Sequence, residues 1–292
     1  MSYAIKLDKE NRVDLSDYDP DDTGKADKDT GKIALAELGH ELDELQEWLY
    51  AAQKHSVLIV LQGLDTSGKD GTIAHVMSTI NPQGCDVASF KIPTPLEQAH
   101  DFLWRVHQKA PARGMMTIFN RSHYEDVLVT RVHNLIKKDV WEARYDEINN
   151  FEKLLTGNDT IILKFFLHIS KKEQEERLLA REKDDEKAWK LSPGDWEERQ
   201  YWKEYQAAYA EALSHTATKH APWYIVPANH KWFRNLAIAE AIVSTLRPYK
   251  DEWQEALKKL GEERKDELQR LRRSGKIPKP DVKSPAQTHQ TS

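Results

Sequence analysis

Cysteine is almost absent from this chain: Cys85 stands alone among 292 residues. No internal disulfide can form, and no thiolate cluster can hold zinc. Long apolar runs are missing as well. The longest, residues 57–61, is far short of the ~20 residues that span a bilayer. The first ten residues interleave Lys, Asp and Glu with apolar side chains where a secretory signal would be uninterrupted and apolar. There is no surplus of positive charge either. The formal net charge of −5 draws no polyanion, nucleic acid included. These absences lead to the expectation of a cytoplasmic protein with no membrane or nucleic-acid partner, in which any anionic substrate must meet a locally assembled positive site.

What is present is α/β alternation. Residues 11–32 are rich in Asp, Thr, Gly and Lys and poor in large apolar side chains, which predicts an extended amino-terminal arm over 1–32 with no core of its own. Leu35, Leu38, Leu42, Leu45, Leu49 and Ala52 then recur in steps of three and four, the stripe of a helix packed on the main domain. Five runs rich in β-branched or aromatic residues follow, at 57–62, 86–90, 115–119, 160–169 and 223–227, with helical stretches such as 96–107 and 171–183 between them. Such alternation needs crossover connections, hence an α/β domain over 33–250 with a five-stranded parallel sheet flanked by helices. Its ligand crevice is expected beyond the carboxyl ends of the strands. Residues 251–292 read as a charged helix followed by a disordered tail.

The chemistry begins where the first run ends, at Gly63-Leu64-Asp65-Thr66-Ser67-Gly68-Lys69-Asp70-Gly71. Two glycines in this spacing followed by Lys69 match a phosphate-cradling P-loop, except that Asp70 stands where Ser or Thr is usual. Glycine lets the backbone turn its amides around phosphate oxygens, and the following helix presents its positive end. The missing hydroxyl would normally help hold Mg²⁺, so another carboxylate must take that role. A second constellation, Asn120-Arg121-Ser122-His123-Tyr124-Glu125-Asp126, follows the third run. Arg121 can fork onto phosphate oxygens, and Glu125 and Asp126 offer hard oxygens to Mg²⁺. The same residues would also serve as a helix cap with acids in its first turn.

Residues 35–246 resemble the polyphosphate kinase 2 family, class III. The resemblance is carried by Leu61-Gln62-Gly63-Leu64-Asp65 through Gly71, Phe90-Lys91-Ile92-Pro93-Thr94, Phe102-Leu103-Trp104-Arg105, the string from Phe119 to Asp126, Phe166-Leu167-His168-Ile169-Ser170, Trp189-Lys190-Leu191-Ser192 and Ala221-Pro222-Trp223. It implies a thymidylate-kinase-like P-loop kinase fold with a helical lid at about 171–200. It also implies Mg²⁺ dependence and reversible transfer from inorganic polyphosphate to AMP and ADP, with ATP as product and GMP and GDP as further acceptors, in a dimer or tetramer of identical chains. By position, Asp65 orients metal or acceptor, Lys69 neutralises the transferring phosphoryl group, and Arg121 and Arg181 embrace it. Asp126 resembles the second acidic position, a metal-ligand candidate beside Asp65 and Glu125. Other classes carry Asp where this chain has Asn120, and an amide cannot act as a carboxylate base.

The expected phosphate and substrate contacts are Gly63, Thr66, Ser67, Gly68, Asp70 and Gly71 in the loop, Asn120 and His123 in the second string, and Lys91, Arg105, Lys109, Arg131 and Lys190 along a polyphosphate channel. Residues 171–190 hold seven basic and seven acidic side chains and otherwise read as a solvated helix face. Tryptophans 189, 196, 202 and 223 read first as core, and second as clamps on a base. Two other activities stay open on the residues alone: an ATP-dependent nucleotide kinase, and a non-catalytic module that binds phosphate polymers.

Overall fold

The alternation along β2 (Ser56–Gln62) sets the architecture. Leu58 and Val60 enter one apolar core, while Val57, Ile59 and Leu61 enter another on the opposite face. A strand buried on both faces belongs between two helical layers, which is why it reads as a continuous apolar run. The computed structural model describes residues 2–184 and 192–278. Its strands are β1 (Ile5–Leu7), β2, β3 (Cys85–Ser89), β4 (Met116–Asn120), β5 (Thr160–His168) and β6 (Trp223–Pro227), in the order β1-β6-β5-β2-β4-β3. Strands β2 to β6 pair in parallel, and β1 joins the edge antiparallel, with Ile5 opposite Ile225.

The helices, in chain order, are α1 (Lys28–Ala52), α2 (Lys69–Val76), α3 (Pro95–Gln98), α4 (Trp104–His107), α5 (Glu125–Val132), α6 (Lys138–Thr156), α7 (Lys171–Glu182), α8 (Pro193–Glu198), α9 (Trp202–Thr216), α10 (Lys231–Leu246) and α11 (Lys250–Arg273). Helices α5, α6 and α9 cover one face of the sheet, and α1, α2 and α10 the other. Asp27 caps α1 by accepting from the amides of Asp29 and Thr30. None of the helices is long and apolar enough to cross a membrane among the described residues.

All five expected strands form. The sixth, β1, lies in the stretch expected to be an arm; three residues are too few to show a period. That stretch also contributes core, since Val13 and Leu15 are buried against the α9 layer, contrary to the sequence expectation. Its backbone is tied down by Asn229 N–H donating to Pro20 O at 3.1 Å and Val13 N–H donating to Ser214 Oγ at 2.9 Å. The expected helix over 96–107 is broken into α3 and α4, with Asp101 accepting from the Leu103 amide at the break. In the expected lid, α7 and α8 form on either side of residues 185–191. Those residues, and the tail from 279 onward, lie outside the described residues.

One charge is set into the apolar layer. Lys164 of β5 is fully buried, and its Nζ donates to Glu152 Oε2 at 2.6 Å, the Tyr124 hydroxyl at 2.9 Å and Thr216 O at 2.8 Å. Glu152 also accepts from Tyr124 and pairs with His123 Nε2 at 3.3 Å. Removing one member of a buried pair strands the other charge, so Lys164→Met should lose about 3–5 kcal/mol of unfolding free energy. Lys164→Met combined with Glu152→Leu should lose less than the single change, as measured by urea unfolding of both variants.

Candidate functional site

The turn after β2 is built to hold an anion. Gly68 has φ +106°, a conformation open to glycine, and a Cβ there would meet Arg234 Nη1 at 1.8 Å. Thr66 also takes positive φ, at +64°. From Lys69 the chain enters α2, whose first amides have no intrahelical partner. Lys69 folds back over the loop, its Nζ donating to Gly63 O at 2.7 Å and Leu64 O at 3.2 Å. These are neutral acceptors, and burial, reinforced by the nearby Arg121 charge, pushes the ammonium down to about 8. A phosphate arriving here meets a cation with no carboxylate bonded to it.

From the end of β4, Arg121 enters at φ +61°, strained for a non-glycine residue. Its Nη2 donates to Asp65 Oδ1 at 2.5 Å and its Nη1 to Glu125 Oε2 at 3.2 Å. Glu125 first, with Asp65, holds the guanidinium more firmly charged than usual despite its burial. Asn120 Nδ2 donates to Asp70 Oδ1 at 2.7 Å, tying β4 to the residue that replaces the usual hydroxyl of the loop. From the α7 side, Arg181 Nη1 donates to Asp195 Oδ2 at 3.1 Å. Burial, with Asp65 nearby, raises the Asp195 carboxyl.

These groups enclose a crevice of about 740 Å³ at the carboxyl ends of β2, β3 and β4. Seven cations and four carboxylates line it, so the site is positive in an acidic chain. Asp65, Thr66, Gly68, Lys69, Asp70, Gly71, Lys91, Asn120, Arg121 and Arg181, all expected from sequence, are brought together on its wall. Gly63 and Ser67 lie in the same loop, Ser67 fully buried with its hydroxyl unpaired.

Other expected residues stand elsewhere. His123 is fully buried on Glu152, behind the loop that carries Arg121. Arg105 is buried, donating to Lys91 O at 2.8 Å, so it holds the backbone of a crevice residue without lining the crevice. Arg131 pairs with Glu211 at 2.5 Å and lies 4.3 Å from the Trp141 ring centre, in a separate surface pocket. Asp126 faces Arg144 at 3.4 Å and Arg105 at 3.9 Å, and burial raises its carboxyl to about 6. Lys190 and Trp189 lie outside the described residues.

Sequence reasoning missed Arg177, Arg234, Lys231 and Asp195, which also line the crevice. Arg234 and Lys231 sit in the first turn or so of α10, just after β6, and a strand's carboxyl end followed by basic residues was the available signal. Arg234 is 3% exposed and donates to Asn235 Oδ1 and Ser67 O. Burial, then the adjacent Arg177, pushes it down to about 10.

The donor set suits a hard divalent cation of one kind. Among the described residues no three His, Cys, Asp or Glu side chains converge to cage a metal alone. A cation that takes one or two carboxylates and completes its shell with water and phosphate oxygens fits Asp65 and the oxygens of Glu125 beside Arg121.

The comparisons with known proteins agree with this geometry. The family model described as polyphosphate kinase 2 matches residues 25–254. The chain is 50% identical over 243 residues to an AMP/ADP-polyphosphate phosphotransferase of Meiothermus ruber, covering 82% of this chain and 91% of the relative. It is 48% identical over 221 residues to an ADP-polyphosphate phosphotransferase of Rhodopseudomonas palustris, covering 72% and 76%. The crystal structure of polyphosphate kinase 2 from Arthrobacter aurescens TC1 superposes with a TM-score of 0.81 at 43% identity, covering 83% of this chain and 88% of that one.

Since the Lys69 ammonium is held at about 8, it loses its proton as pH rises through that value, well below the point where a free lysine would. The pH profile of kcat/KM, which reports the free enzyme, should therefore fall above about pH 8. Lys69→Arg should abolish that alkaline limb. Asp65→Asn and Lys69→Ala should each lower turnover by roughly 10²–10⁴-fold with little change in thermal midpoint, the scale of one lost positioned charge.

Proposed function

The chain belongs to the polyphosphate kinase 2 family, and from that premise we propose that it transfers phosphoryl groups reversibly from inorganic polyphosphate to AMP and ADP, with Mg²⁺ as the working metal. The observation that carries this reading is the excess of buried positive charge around a phosphate loop at the end of β2. A long polyanion is the substrate such a crevice suits. The acceptor range is supported by Asn120 and by the Meiothermus relative, whose name covers both AMP and ADP. GMP and GDP are further acceptors in this reading.

The chain's own residues do the positioning. Lys69 exchanges its loop carbonyls for an oxygen of the transferring group, and Arg121 and Arg181 approach it from opposite walls. The bond from the terminal phosphorus to its bridging oxygen breaks as an acceptor phosphate oxygen bonds to that phosphorus, leaving polyphosphate one unit shorter. The attacking oxygen is already ionised at neutral pH, since the second ionisation of a phosphate monoester lies near pH ~6. No base is therefore required at position 120, and Asn120 is free to hold Asp70. Asp65 and Glu125 would hold Mg²⁺, which supplies charge neutralisation across the phosphate oxygens.

Polyphosphate with ADP, free of ATP, should yield ATP in the presence of Mg²⁺ and none after chelation. Product only when ATP is the donor would establish an ordinary nucleotide kinase, and binding without turnover a carrier module. Within this reading Glu125 steadies Arg121, and the shorter acceptor offers that guanidinium fewer phosphate oxygens. Glu125→Asn should then depress AMP phosphorylation about tenfold more than ADP phosphorylation, the scale of one charge-assisted hydrogen bond. Kinetics with each acceptor at saturating polyphosphate check this, and equal losses would remove Glu125 from acceptor selection.

A further inference from the structure

Arg177 lines the crevice yet has nothing left to give a substrate. It is 9% exposed, and its five N–H donors are matched by five protein oxygens. Nε donates to Glu173 Oε1 at 2.6 Å, Nη1 to Thr66 O at 2.9 Å and Ser67 O at 3.1 Å, and Nη2 to Ala228 O at 2.6 Å and Asn229 O at 2.8 Å. Four of those five are main-chain carbonyls, two from the phosphate loop and two from the turn after β6. An arginine spent in this way fixes the orientation of peptide planes.

The plane that most needs fixing lies between Ser67 and Gly68. Gly68 at φ +106° is free of the Cβ that would restrain rotation of the preceding peptide, so this is the softest link in the loop. In a trans peptide the N–H points opposite to the C=O. Holding Ser67 O on Arg177, with Arg234 Nη1 at 3.4 Å as a weaker second donor, therefore sets the direction of the Gly68 amide. A flip of this one peptide would present a carbonyl dipole to the phosphate in place of an amide. Arg181 stands one turn further along α7, so the same anchor also sets the distance between that guanidinium and the loop.

We propose that Arg177 is a positioning residue that locks the Ser67–Gly68 peptide so that the Gly68 amide is offered to a phosphate oxygen. The inference rests on the loop being the polyphosphate site, and the experiment separates the two. A lysine cannot substitute, since an ammonium is a point charge without the planar fork that reaches two segments at once.

The test uses full-length protein labelled with ¹⁵N-glycine and titrated with tripolyphosphate. In the wild type one glycine amide, assigned to Gly68 by its loss in Gly68→Ser, should move strongly. In Arg177→Lys and Arg177→Met that shift should be lost, and turnover should fall by roughly 10²-fold, the scale of one lost oxyanion donor. The slope of log kcat/KM for polyphosphate against log salt should stay at the wild-type value in both variants, because no phosphate contact is removed. In Arg121→Ala it should drop by about 1. A Gly68 shift retained in the variants overturns the proposal, and so does a reduced salt slope, which would make Arg177 a direct polyphosphate ligand. No glycine shift in the wild type overturns the phosphate-site reading itself. Should Arg177→Met fail to fold, Arg177→Lys decides alone.

Discussion

Positive charge held out of water is the constraint on which the arrangement depends. A phosphate polymer can be gripped only by cations that do not already own a counter-ion, yet a buried cation without one is expensive. The solution here is to satisfy guanidinium and ammonium groups with neutral oxygens. Lys69 rests on Gly63 O and Leu64 O, Arg177 mostly on four carbonyls, and Arg234 on Asn235 and Ser67. Hydrogen-bonding capacity is met while net charge is not, and that residual charge is what an arriving anion senses. Arg121, shared by Asp65 and Glu125, is the exception, and it is the cation nearest the carboxylates suited to a divalent metal.

The sheet makes this concentration possible. Parallel pairing of β2 with β4 and β5 puts the carboxyl ends of these strands at one edge, so the phosphate loop and the Asn120-Arg121 string arrive together without either being long. The buried Lys164, Glu152, Tyr124 and His123 cluster lies directly beneath the second string. It ties residues 123 and 124 to α6 and β5 while Arg121 turns the other way into the crevice.

What was legible in the sequence was what is local. The phosphate loop, the strand before it and the helix after it are one contiguous stretch, and Arg121 follows its strand directly. Arg177 and Arg234 were not legible because their roles come from carbonyls about 110 and 170 positions away, with no local pattern marking them. Arg105 and Arg131 failed for the opposite reason. A basic residue near a motif looks the same in sequence whether it faces substrate, backs a main-chain carbonyl or pairs with a glutamate. Val13 and Leu15 were hidden by dilution, two apolar residues among many polar ones.

The edge strand β1 has a consequence for the history of each molecule. Ile5 pairs with Ile225, and the segment after it is fastened to Asn229 and Ser214. During synthesis the first residues to emerge therefore have no partner until the last strand has been made. At ribosomal rates of ~5–20 residues per second that wait is roughly ten to forty seconds. Throughout it β5 and the nascent sheet present an unpaired margin to the surroundings, and closure of that margin is a late event in folding.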